Sequence, residues 1–373
     1  MNKKEIAEIK KQFTPQRCTI TRICGCYVDG DKEKRTTFKD AFFSLPEEDA
    51  FKYFDIFKKS LSGIIGKNLM TMEFPLDEEK EGGRQEFLLR VRASQLKDEE
   101  VLEDFYDRVI GNYDYGENYL ILLIHGAYDI PGRGTDNEEM FDASDEVYEY
   151  LLCCLCPVKL SKPGLSYNAE DNCFQNRIRD WIVDMPQTGF LFPAFHDRST
   201  DLHAVLYYSR NAAQLHGEFA AEFLGCVTPL AAADQKEVFQ ELVEETLGAD
   251  CGYETVMAIN EKISEMIEEH KEDPEPVTLY KEDVRQIFFE SGVPEERLEG
   301  FEEKFEEAAG EDAALMAANV VGVRKLEVRT PDVVIQVAPD RAQLVETRII
   351  DGRKCIVIAA DEHVQINGVT VRS

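Results

Sequence analysis

No run of apolar residues in this sequence approaches the roughly 18 that a membrane-crossing helix requires. A helical span is therefore excluded, and no membrane partner is expected. The opening stretch, MNKKEIAEIKKQF, is charged and lacks the apolar centre of a secretory signal, so a cytoplasmic location is expected. Basic charge is also in deficit: 42 Lys and Arg stand against 73 Asp and Glu, a formal net charge of -31 over 373 residues. That balance favours solubility and repels polyanions at long range, which counts against generic nucleic-acid binding and leaves only a local basic patch open to it. Familiar catalytic signatures are missing: there is no G-x-S-x-G, no H-E-x-x-H and no EF-hand loop. GIIGKN, at 63–68, fails as a phosphate loop because its glycines are too close, Asn68 replaces Ser or Thr, and it follows a helix instead of a strand. The expectation is a protein with no catalytic residue, cofactor or metal.

What is present is a globular composition, 43% hydrophobic and 31% charged, long enough for two or three domains. The ten cysteines read as reduced thiols in a cytoplasmic setting. Charge is unevenly spread. Residues 1–40 carry 10 basic and 6 acidic side chains, while residues 234–312 carry 7 and 26, a net of -19. The division expected is a mixed α/β domain over 1–232, an acidic helical segment over 233–312 and a small antiparallel β unit over 313–373. The fold class is α+β.

Ile6, Ile9 and Phe13 share one face of an N-terminal helix ringed by lysines. CTITRICGCYVDGDKEKRTTF reads as two strands turning near Asp29-Gly30. PEEDAFKYFDIFKKSLSGIIG is an amphipathic helix. QEFLLRVRA and NYLILLIHGAYDI read as strands, the second apolar enough for a sheet centre, and PGRGTDNEEM as a loop. GFLFPAFHDRSTDLHAVLYYS reads as a hairpin turning at Asp197 to Asp201. Helices follow, one of them with Asp234 and Glu237 in capping-box spacing. In the tail, Asp351-Gly352 and Asn367-Gly368 are hairpin turns.

Several clusters carry candidate chemistry. Cys153, Cys154 and Cys156 form the densest group of reactive side chains. On a helix, Cys153 and Cys156 would share a face; yet C-C-x-C is not the paired spacing of a zinc site, and small buried hydrophobes are the plainer reading. His196, Asp197, Asp201 and His203 surround the hairpin turn and, as a metal or acid-base group, would suit an unrecognised metal-dependent hydrolase; they also read as an ordinary polar turn. FQNRIRDWIVDMP, which holds the sole tryptophan, reads as a helix with Ile178, Trp181 and Ile182 inward. The helix pair over 280–310 resembles a helix-turn-helix in outline, but its second helix is too rich in glutamate to lie among phosphates. Lys3, Lys4, Lys10, Lys11, Arg17 and Arg22 are the better nucleic-acid contacts.

The stretches CPVKLSKPGLSYN, RDWIVDMPQTGFLFPAFHDRSTDLHAVLYYS and VETRIIDGRKCIVIAADEHVQINGV resemble an uncharacterised bacterial domain-of-unknown-function family of anaerobic Gram-positive bacteria, along essentially the whole chain. That resemblance implies no activity. The order of NYLILLIHGAYDI, HGEFAAEFLGC, VTLYKEDVRQIFFESG and VVIQVAPDRAQLVETRIIDGRKCIVIAA is similar to that of the 37-kDa nucleoid-associated protein family. This second resemblance implies a cytoplasmic, non-enzymatic, nucleoid-associated binding protein. Two partner classes follow: DNA at the N-terminal cations, or a basic protein docked on the acidic 234–312 segment.

Overall fold

In this computed structural model the chain adopts an α+β fold, described for residues 1–133, 139–248, 251–310, 313–321, 326–360, 364–366 and 369–371. Two compact units divide it, Met1–Ala231 and Ala232–Ser373. Among the described residues, no helix is long and apolar enough to cross a membrane.

The first unit begins with α1 (Lys3–Lys10), β1 (Ile20–Val28), β2 (Lys34–Ala41), α2 (Glu47–Ser60), β3 (Leu69–Glu73), α3 (Arg84–Ala93) and α4 (Glu99–Asn112). Two long strands follow, β4 (Tyr119–Arg133) and β5 (Glu139–Leu160), then the short β6 (Leu165–Asn168), β7 (Cys173–Asn176), β8 (Trp181–Val183), β9 (Thr188–Phe192), β10 (Ala194–His196), β11 (Ser199–Asp201) and β12 (Ala204–Ser209). The helical turn α5 (Gly217–Phe219) runs into a π-turn, Ala220–Leu224.

The main sheet has the order β2-β1-β4-β5-β9-β12-β3, with β8 on the β5 edge, and every pairing is antiparallel. Both faces are covered. Alternation along the strands sends Leu122, Ile124, Leu152 and Leu191 to one side, where Ile6, Ile9 and Phe13 of the N-terminal segment and Phe54 and Phe57 of α2 bury them. It sends Ile121, Leu123, Leu151 and Phe190 to the other, against Leu88 and Val91 of α3, Phe105 and Val109 of α4, and Phe219 and Phe223. Burial on both faces explains why NYLILLIHGAYDI is apolar at consecutive positions.

Three expectations are corrected. QEFLLRVRA is helix α3: Phe87, Leu88 and Val91 are buried at helical spacing. FQNRIRDWIVDMP is no helix but contains β7 and β8, and Ile178, Trp181 and Ile182 are exposed. The end segments of PGRGTDNEEM belong to β4 and β5, and its residues 134–138 lie outside the described residues.

The second unit holds α6 (Ala232–Leu247), α7 (Tyr253–Glu269), β13 (Thr278–Leu279), α8 (Lys281–Glu290), α9 (Phe301–Ala309), β14 (Leu315–Met316) and α10 (Ala317–Val320). Helix α6 starts two residues before Asp234, so Asp234 lies in its first turn, not at its cap. Phe239, Phe288 and Phe301 form its aromatic centre, with ring centroids 6.1 and 5.3 Å apart along the row. Among the described residues the tail is built of antiparallel hairpins, as expected: β15 (Leu326–Arg329) with β16 (Val334–Val337), β17 (Val345–Ile350) with β18 (Arg353–Ile358), and β19 (Val364–Ile366) with β20 (Val369–Val371). Asp351 and Gly352 turn the second with φ of +50° and +77°, the primed geometry that fits strand twist. The Asn367-Gly368 turn lies outside the described residues.

Candidate functional site

Helix α1 is fixed at its start by a reciprocal cap. The Asn2 side chain accepts from the Lys4 and Glu5 amides at 3.0 and 3.1 Å, and the Asn2 amide donates to the Glu5 carboxylate at 2.7 Å. This pairing satisfies amides that every helix start leaves orphaned. Glu5 is itself buried, and its other carboxylate oxygen accepts the Asp197 amide at 2.8 Å and stands 3.7 Å from His196 Nδ1. One turn on, Glu8 accepts from the Tyr128 hydroxyl at 2.9 Å and pairs with Arg198 at 3.1 Å. The Arg198 guanidinium also donates to the Pro131 carbonyl at 2.9 Å. Two carboxylates on α1 thus clamp the tip of the β10-β11 hairpin, where Asp197 and Arg198 hold left-handed backbone angles of +47° and +59°. Left-handed angles are uncommon for residues other than glycine, so the clamp contributes to holding them.

The clamp borders a cleft of about 420 Å³, into which Lys4, Lys11, Arg17 and Arg198 bring positive charge and Glu8 and Asp129 negative charge. Lys4, Lys11 and Arg17 are exposed and form no ion pair among the described residues. Three of the six expected cations therefore converge. The others do not. Lys3 is exposed outside the cleft lining. Lys10 donates to the Ser62 hydroxyl, and burial, then Lys58 and Lys59, pushes its pKa down. Arg22 lies across the sheet, paired in register with His125 of β4. Sequence reading missed Arg198, Tyr128 and Glu8. The i+3 step from Glu5 to Glu8 was the available signal, but its target became visible only with the hairpin in place.

The polar cluster around the turn does not assemble. His196 faces Ser199 across the hairpin, not His203. His203 turns away to pair with Glu79 at 2.7 Å, a contact that raises its pKa. Asp201 accepts the His203 amide at 3.0 Å. No group of three or more His, Cys, Asp or Glu side chains is placed to hold a metal among the described residues.

The cysteine cluster sits on β5, not on a helix. Period-two alternation sends Cys153 to one face of the sheet and Cys154 and Cys156 to the other. All three are fully buried, and burial pushes their thiols up, that of Cys154 to about 12. Cys154 Sγ rests 3.4 Å from Ser60 Oγ of α2. They are packing residues.

A larger cavity, about 1120 Å³, lies in the second unit between α6, α7 and β15. Its charged lining is mostly carboxylate, including Glu244, Glu261, Glu265 and Glu268. The N-terminal cleft differs in offering cations and hydrogen-bond donors, an arrangement suited to holding phosphate or carboxylate oxygens. A search of curated proteins finds no match to this chain. The family model described as Domain of unknown function (DUF4317) matches residues 1–369, and the chain belongs to that family.

Proposed function

We propose that the protein is a cytoplasmic, non-enzymatic binding protein whose N-terminal cleft takes the phosphate backbone of DNA, in keeping with a nucleoid-associated role. The observation that carries this reading is the convergence of Lys4, Lys11 and Arg17 on one cleft without an ion pair among the described residues. In a chain of net charge -31, these three cations share a cleft whose lining holds two carboxylates, of which Glu8 is already paired with Arg198. The rest of the molecule repels a polyanion at long range, so contact is local and association is slower than for a basic protein.

Fluorescence anisotropy with duplex DNA over about 50–200 mM salt tests the reading, because each phosphate contact contributes about 0.9 to the slope of log affinity against log salt. The triple variant Lys4→Gln, Lys11→Gln, Arg17→Gln is expected to flatten that slope by up to about three. Lys10→Gln and Arg22→Gln are expected to leave it unchanged. Absence of binding at the lowest salt overturns the reading.

A further inference from the structure

The β6-β7 hairpin is amphipathic, yet neither of its faces packs on a core. Tyr167 and Phe174 are register partners with ring centroids 5.5 Å apart, and Leu165 continues the same face. The reverse face carries Ser166, Asn168, Cys173 and Gln175. Alternation of this kind ordinarily means that one side is covered. Here Leu165 is 71% exposed, Phe174 74% and, just beyond the hairpin, Ile178 79%. Trp181 of β8, the sole tryptophan, is 57% exposed. An isolated two-stranded hairpin is marginal in water. At roughly 150–250 Å² for each large aromatic side chain, these residues expose several hundred Å², on the order of the ~800 Å² that each partner gives to a standard interface.

Charge identifies the partner. Between Lys159 and Asp184 there are four basic and four acidic side chains, so the window is neutral within a chain of net charge -31. The charges are also sorted. Glu170 and Asp171 sit at the hairpin tip, between β6 and β7, whereas Lys162 and Arg177 flank its base, where the Arg177 amide donates to the Gly164 carbonyl at 2.9 Å. Tip and base are about 15 Å apart at roughly 3.3 Å per residue. Two such hairpins laid face to face and antiparallel about a two-fold axis set the acidic tip of each on the basic base of the other, with the apolar faces between. Self-complementarity of this kind is what an isologous interface requires. We infer that the β6-β7 hairpin is a dimerisation surface and that its occupant is a second copy of this chain.

Sedimentation velocity of the full chain from about 1 to about 100 µM brackets micromolar self-association. A monomer-dimer equilibrium is expected, with Trp181 emission shifting to shorter wavelength as concentration rises. Phe174→Ser is expected to weaken the dimer by about tenfold or more, the loss typical of a central apolar contact. The pair Glu170→Lys, Asp171→Lys leaves both ends of the hairpin basic, and the pair Lys162→Glu, Arg177→Glu leaves both ends acidic. Each is expected to be monomeric alone, and a mixture of the two is expected to form a heterodimer. That rescue distinguishes a lost interface from a lost fold. A monomer at every concentration overturns the inference. So does a dimer indifferent to these variants, or charge variants that fail to rescue one another while folded by circular dichroism. Binding of the native monomer to anionic vesicles or to another protein through this face, without self-association, also overturns it.

Discussion

At the scale of single residues, His125 is a buried ionisable group in the first unit. It is buried on β4, and its Nδ1 lies 2.7 Å from the Thr21 hydroxyl, which also donates to the His125 carbonyl at 3.1 Å. Its Nε2 has no hydrogen-bond partner among the described residues. Burial lowers its pKa first, and Arg92, Lys97 and Arg22 push the same way against Glu149. The folded protein therefore binds this proton less readily than the unfolded chain does. The stability it contributes is intact above the ordinary histidine pKa of about 6.5 and is lost as pH falls below that value. His216 is lowered by burial too, with the same sign. Urea midpoints at about pH 7.5 and about pH 5.5 are expected to fall on acidification, and to fall less for His125→Gln. None of this was legible in the sequence, where His125 is one polar residue in an apolar strand. The cysteines were legible as packing, but their division between two faces needed the strand assignment.

Among the elements, those with a clean period were readable and those lacking one were not. Ile6 and Ile9 mark α1 correctly because one face meets a core and the other meets water, while Phe13, three residues past the helix end, is buried in the same core. Helix α3 was misread because Val91 alternates with Arg90 and Arg92, while the buried set Phe87, Leu88 and Val91 follows the helical step. The converse error fell at Trp181, where Ile178, Trp181 and Ile182 match a helical step and the chain is extended. Periodicity reports a helix only if a core is there to receive the face, and these side chains face none. Close packing inside the sheet gives a firmer test. A Cβ on Gly189 would stand 2.5 Å from the Cys153 carbonyl oxygen, a backbone atom of the neighbouring strand. Gly189→Ala is expected to cost about 1–3 kcal/mol, the usual penalty for overpacking, read from the urea midpoint. At Gly126 the obstacle is the Tyr150 ring, 2.3 Å away, itself fully buried and stacked on Tyr148, so the corresponding substitution is expected to be destabilising as well.

For the molecule as a whole, the asymmetry of charge is the property most visible in the sequence and most tied to behaviour. The 234–312 stretch carries 7 basic and 26 acidic side chains, all within the second unit. Few of these carboxylates are compensated among the described residues: Glu268 pairs with Lys271 and Glu290 with Lys262, each at 2.8 Å, and Glu306 pairs with Lys281. Like charges at this density oppose compaction, and the effect weakens as the Debye length falls from about 30 Å at 0.01 M to about 8 Å at 0.15 M salt. Denaturation followed in the two salts is expected to show the second unit gaining stability with salt and the first changing little. The α+β class was legible from the alternation of patterns. The antiparallel strand order was not, because pairing between distant segments leaves no local trace. That order has a consequence for synthesis. Among the described residues β3 lies at the sheet edge and its strand partner is β12, Glu73 opposite Ala204, 131 residues further along (204 − 73). At about 5–20 residues per second, roughly 7–26 s separate their appearance at the ribosome. For that interval Leu69, Met70 and Met72 are an apolar strand without a neighbour, and the nascent chain is most exposed to chaperones and to misassociation then.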